Sequence, residues 1–143
     1  MNQEFEQSGF VVHRSLFSSG ELKSIRDVVM RFHASWIEKN NAFYQDKAIN
    51  SAFLTSVEHL NEKDREALFQ FIGSNKLMAA VTDIMGSDAT FMNTQLFFNP
   101  INSDQKNYWH RDPQYHLSLK EQKQALEGDK VIHFRIPLLD EPV

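Results

Sequence analysis

Apolar residues recur every three to four positions between residues 22 and 36: Leu22, Ile25, Val28, Val29, Phe32 and Trp36. That spacing keeps one face of an α-helix apolar. Ser18-Ser19-Gly20-Glu21 just ahead carries a capping box, Ser18 with Glu21. The pattern predicts a helix over residues 19–39, ended by Asn40-Asn41. A second helix is expected from Asn61 as cap, through Leu68, Phe71 and Ile72, to Gly73. A third is expected over residues 76–85, with Leu77, Val81 and Ile84 inward and Gly86 after its end. Ahead of all three, residues 5–17 read as a short extended segment, with Gly9 as a turn point and Phe10, Val11 and Val12 as strand formers.

After Gly86 the pattern changes from helical to alternating. Residues 90–99 (TFMNTQLFFN) are β-rich, and Pro100 with the polar run that follows predicts a loop. Residues 108–112 are expected as a second strand, halted by Pro113. Ser118 and Glu121 form another capping box, opening a short helix that Gly128 closes. Residues 130–139 (KVIHFRIPLL) alternate as a third strand, with Ile132, Phe134 and Ile136 on one face and His133 and Arg135 on the other. Helices first and strands later predict an α+β fold in which helices buttress a mostly antiparallel sheet. The expected organisation is a single domain over 1–143, mainly helical over 1–86 and strand-bearing over 87–143.

Composition narrows the function classes. At 143 residues, 41% hydrophobic and with 12 phenylalanines, the chain is long enough to bury a core. The net charge of −4 comes without a block of like charge, and no basic stripe marks a nucleic-acid partner. No apolar run reaches the ~18 residues of a membrane span, and the first residues, MNQEFEQSGF, are polar and acidic, unlike a signal peptide. A cytoplasmic protein is therefore expected. The absence of cysteine excludes disulfides, thiolate zinc sites and thiol nucleophiles.

Two stretches carry candidate chemistry. YWHRDP, residues 108–113, contains the single His-x-Asp of the chain, His110 and Asp112. Residues two apart on a strand project from one side. An imidazole and a carboxylate so placed are two ligands of the facial triad that holds non-haem iron(II). Chance alone supplies about 0.4 such pairs in a chain of this composition, so the alternative is an exposed strand-end ion pair among His110, Arg111 and Asp112. In QLFFNP, residues 95–100, Gln95, Phe97 and Asn99 share a face opposite Leu96 and Phe98. Two amides around an aromatic ring suit the wall of a ligand cavity, where the amides donate hydrogen bonds to a carboxylate. The alternative is that Gln95 and Asn99 simply face water.

QLFFNP, YWHRDPQYH, SLKEQKQALEGD and HFRIPLLDEP together resemble the phytanoyl-CoA dioxygenase family of iron(II)/2-oxoglutarate oxygenases. The opening F-x-x-x-G-F-V-V-H-R-S-L-F-S-S-G-E-L is similar to that family's start, so the resemblance covers essentially the whole chain. It implies a double-stranded β-helix, or jelly roll, with N-terminal helices packed outside. It implies His110 and Asp112 as iron ligands and Gln95, Phe97 and Asn99 on the strand lining the 2-oxoglutarate pocket. It puts His116 where some relatives place an aromatic residue over that pocket. The implied reaction is hydroxylation of a small organic substrate, coupled to decarboxylation of 2-oxoglutarate to succinate. Arg135 is a candidate contact for an anionic substrate.

The family pattern continues past a D-E-P segment like Asp140-Glu141-Pro142 to a distal iron-binding histidine and an arginine that pairs with the far carboxylate of 2-oxoglutarate. The sequence stops at Val143, ahead of both. The resemblance therefore implies the N-terminal portion of an oxygenase, as a truncated gene product, a fragment or one part of a split protein. Missing strands would leave open sheet edges, to be covered by a second copy in a homo-oligomer or by a completing C-terminal segment. Two other readings stand beside the enzyme. One is a non-catalytic remnant or interaction module that keeps the scaffold. The other is a self-contained hydrolytic metal site built from His110, Asp112 and His116. Within the oxygenase reading itself, His133 and Arg135 could stand in for the missing histidine and arginine, though the spacing does not require it.

Overall fold

A computed structural model describes residues 2–47, 51–99, 101, 118–127 and 131–139. The chain forms two compact units, Met1–Asp104 and Gln105–Val143. The expected strand at 108–112 and the closing Gly128 lie outside the described residues.

The first unit opens on a helix where an extended segment was expected. α1 spans Gln3–Ser8 because Asn2 caps it, its side-chain oxygen accepting from the Phe5 amide at 3.1 Å. Glu4 and Glu6 lie in its first turn, and Gly9 closes it in the left-handed conformation at φ 74°. Residues 10–13 are irregular, and Ser15 takes φ 57° in the turn after them. Phe10, Val11 and Val12 are apolar strand formers, but the Asn2 cap just upstream decides the local structure of residues 3–8.

α2 spans Ser19–Asp46 and begins with the expected capping box. Glu21 accepts from the Ser18 amide at 2.7 Å, and Ser18 accepts from the Glu21 amide at 3.3 Å. Ile25, Val28, Val29 and Phe32 form its buried stripe. The predicted stop at Asn40 is a kink instead. Asn40 leaves helical geometry (φ −115°, ψ 17°), its carboxamide donates to the Trp36 carbonyl at 2.9 Å, and the chain resumes a final helical stretch carrying buried Tyr44.

α3, Glu62–Ile72, starts at the Asn61 cap and ends at Gly73, as the sequence indicates. α4, Asn75–Met85, buries Leu77, Ala80 and Ile84 and ends at Gly86 with φ 85°. α2 packs on α3 and α3 on α4. An ion pair fastens the first of these contacts: the Arg31 guanidinium donates to both carboxylate oxygens of buried Asp64, at 2.8 and 2.6 Å. Lys76 of α4 reaches the Glu21 carboxylate at 2.8 Å and lies over the Phe17 ring, which stacks on Phe71.

The β structure is shorter than expected. β1, Ser51–Phe53, was not anticipated; it pairs antiparallel with β2, Gln95–Phe97. Residues 90–94 of the predicted strand have no regular structure. The register sets Ser51 opposite Phe97, Ala52 opposite Leu96 and Phe53 opposite Gln95. Helices and sheet thus share the first unit, so the mixed α+β class holds, with a two-stranded sheet among the described residues.

In the second unit, α5 spans Leu119–Glu127 behind the Ser118–Glu121 capping box. The predicted strand at 130–139 is corrected: residues 131–137 are irregular. The expected facing holds only in part: Ile132 and Ile136 are half-buried, but Phe134 is exposed like His133 and Arg135. An apolar alternation specifies which side faces inward, but a strand also needs a neighbour to take its backbone hydrogen bonds.

Candidate functional site

The β1–β2 ribbon has two unlike faces. Ala52 and Leu96 sit half-buried on one, next to buried Leu54, whose amide extends the ladder to the Thr94 carbonyl at 3.2 Å. The other face presents Ser51, Phe53, Gln95 and Phe97, because directly opposed residues of a ladder share a face. Phe53 is 59% and Phe97 68% exposed, and Gln95 is exposed between them. Asn99, two residues past the strand, is exposed as well. Gln95 and Phe97 therefore occupy one open surface, as the alternation indicates. Phe53 joins them unforeseen, since a three-residue strand carries too little periodicity to announce itself.

Phe98 turns the other way. Its ring meets His33 at 4.7 Å, Trp36 at 5.2 Å and Tyr44 at 5.7 Å between centroids, and Trp36 and Tyr44 meet edge-on at 5.5 Å. All three partners come from α2, two ahead of the kink and Tyr44 after it. The Tyr44 hydroxyl donates to the Asn99 carbonyl at 2.9 Å. Desolvation holds the His33 imidazole below its ordinary pKa, and its Nε2 is buried without a hydrogen-bond partner. His59 packs edge-on against Phe32 and contacts the Ser35 hydroxyl at 3.3 Å, while His13 is exposed. These three histidines serve packing or surface, as the sequence suggests.

His110, Asp112 and His116 lie outside the described residues. Among the described residues no trio of His, Asp or Glu side chains lies close enough to hold a metal ion. Arg135 and His133 stand exposed on the irregular segment of the second unit. No helix among the described residues is long and apolar enough to cross a membrane.

The donor set on the ribbon suits a keto acid. Two carboxamides, at Gln95 and Asn99, offer N–H donors to carboxylate and carbonyl oxygens, and Phe97 supplies an apolar plate. None of the four residues on the open face is an acid that would repel an anion. For iron, the imidazole of His110 and the carboxylate of Asp112 are donors of the right chemical kind.

No curated protein and no solved structure matches the chain. The sequence model described as phytanoyl-CoA dioxygenase (PhyH) matches residues 5–143, which takes in the helices, the QLFFN strand and the His-x-Asp stretch alike. Over that length the chain belongs to the phytanoyl-CoA dioxygenase family, a family of 2-oxoglutarate-dependent dioxygenases.

Proposed function

We propose that this chain carries the co-substrate strand and two metal ligands of an iron(II)/2-oxoglutarate-dependent hydroxylase acting on a small organic substrate. The observation that carries the proposal is the family match over residues 5–143. The open face of β2, with Gln95 and Phe97 side by side, supports it. His110 and Asp112 would hold the iron. The metal supplies activation of dioxygen coupled to decarboxylation of the keto acid, chemistry that no side chain of this protein can perform. Gln95 and Asn99 would donate hydrogen bonds to oxygens of 2-oxoglutarate, and Phe97 would cover its carbon chain and exclude water. His116 would border the same pocket. Arg135 would pair with an anionic group of the substrate. The jelly roll that the family implies belongs to this reading, with β1 and β2 as part of it.

The test is succinate release from 2-oxoglutarate under iron(II) and oxygen, with His110→Ala as control. Turnover in the wild type that disappears in the variant supports the site. Turnover that survives the substitution overturns it. A folded chain that binds no 2-oxoglutarate in the presence of divalent metal, measured by calorimetry, favours the non-catalytic scaffold instead.

A further inference from the structure

We infer that Tyr44 is a positioning residue for the co-substrate strand: its hydroxyl on the Asn99 carbonyl and its ring on Phe98 fix which way Gln95, Phe97 and Asn99 face. The inference rests on the reading of β2 as the strand that binds 2-oxoglutarate.

β2 is three residues long, and its neighbour among the described residues is the equally short β1. A ribbon of that size is marginal alone. A slip of one residue would carry Gln95 and Phe97 to the inner face and turn Leu96 and Phe98 out. Something beyond the ladder must therefore hold the register. Buried Leu54, its amide on the Thr94 carbonyl, holds one end of the ribbon. At the other end the grip lies one residue past β2, where half-buried Phe98 enters the cluster of His33, Trp36 and Tyr44. That cluster fixes the ring of Phe98 but leaves the backbone after it free to rotate. The Tyr44 hydroxyl removes this freedom.

Tyr44 is 3% exposed, so its hydroxyl needs a protein partner, and the 2.9 Å bond to the Asn99 carbonyl provides one. The bond ties down the peptide that leaves Asn99, on the residue whose carboxamide is meant to meet the ligand. The kink makes the arrangement possible. With Asn40 outside helical geometry and its side chain satisfying the Trp36 carbonyl, Trp36 and Tyr44 approach the same ring from both sides of the break. A buried tyrosine acting only as core would be served equally well by phenylalanine. The specific prediction therefore concerns the oxygen atom.

Tyr44→Phe keeps the ring and deletes the bond. The exposed Asn99 can offer its carbonyl to water, so the fold should survive with little change in its urea midpoint. Three quantities decide. The first is the 2-oxoglutarate Kd by anaerobic calorimetry with manganese(II) in place of iron. The second is backbone hydrogen exchange over residues 95–99, and the third is manganese affinity in the absence of keto acid. Loss of one hydrogen bond should weaken 2-oxoglutarate binding roughly threefold to tenfold and speed exchange at 95–99, with metal affinity unchanged. Leu77→Val, which loosens the buried face of α4, reports the effect of lost stability alone. An unchanged Kd in Tyr44→Phe, or an equal loss in Leu77→Val, would overturn the inference while the co-substrate reading stands. A wild-type chain that binds manganese but no 2-oxoglutarate would overturn that reading, and the role of Tyr44 with it.

Discussion

Replacing Phe32 by alanine should be among the most damaging single changes in the helical half. Phe32 has 0% exposure, lies on the inner stripe of α2 and meets the His59 ring edge-on at 5.3 Å. Deleting a fully buried phenylalanine ring costs about 3–5 kcal/mol, combining lost transfer free energy with the cavity left behind. The upper part of that range applies here. The backbone of α2 cannot collapse into the space without disturbing Val28 and Val29 beside it, and the edge-on contact with His59 adds about 0.5–1.5 kcal/mol. A domain of this size holds only about 5–15 kcal/mol in total, so the loss is a large share. With a urea slope near 2 kcal/mol/M, the midpoint should fall by roughly 2 M. The assay is urea unfolding followed by the helical circular dichroism signal, with Phe53→Ala as comparison. Phe53 is 59% exposed, and its removal should shift stability by no more than about 0.5 kcal/mol. Equal midpoint shifts in the two variants would refute the packing of α2 on the rest of the unit.

Two pH effects follow from charged groups in the same half. The Arg31 guanidinium beside Asp64 holds the carboxyl below its ordinary 3.8, so the unfolded chain takes up the proton first. Stability from this pair is complete above that value and lost as pH falls through the lowered folded one. Asp64→Asn should cost about 1–2 kcal/mol at neutral pH, less than a fully buried pair because Arg31 stays half exposed. The gap from wild type should narrow in strong acid; a gap constant with pH counts against the pair. Burial holds the His33 imidazole below 6.5, so acidification charges the unfolded chain before the folded one and stability declines as pH drops through that value. His33→Leu should remove this part of the slope between about pH 7.5 and 5; urea midpoints in both variants that fall in parallel would contradict it.

The helical skeleton was legible because its signals are local. Capping boxes at Ser18 and Ser118, the Asn61 cap and the glycines at 73 and 86 each act within a few residues of the helix end they set. Asn40 illustrates the limit. Its low helix propensity predicts an end, but Tyr44 is buried and Asn40 satisfies a carbonyl of its own helix, so packing carries the helix onward past a local break. The strands were less legible for a related reason. Alternation at residues 131–137 marks an inward face that only Ile132 and Ile136 keep, and at 90–94 Phe91 and Met92 stand exposed, because pairing depends on a partner far away in sequence. β1 lies more than forty residues before its partner and has three residues with which to reveal itself. At the candidate site, the face shared by Gln95 and Phe97 could be read from period two alone. The ring cluster and hydroxyl behind Phe98 could not, since neither leaves a pattern in the sequence.

The exposure of the candidate face also bears on how it would work. Two carboxamides in a closed apolar wall would each need a built-in partner, and any donor left unpaired would cost about 1–3 kcal/mol. On an open ribbon, water fills that role, so Gln95 and Asn99 can be kept there at little expense to folding. On the proposed reading, a bound keto acid would exchange water for its own oxygens, a nearly neutral trade, and would gain chiefly by covering Phe97, which is 68% exposed. Such a face has little of its own to hold it in shape. Its orientation has to come from the opposite side, and there Phe98 meets an aromatic cluster supplied by one kinked helix. The length of α2 beyond Asn40 thus has a physical use: it brings Tyr44 to the end of a strand too short to hold its own register.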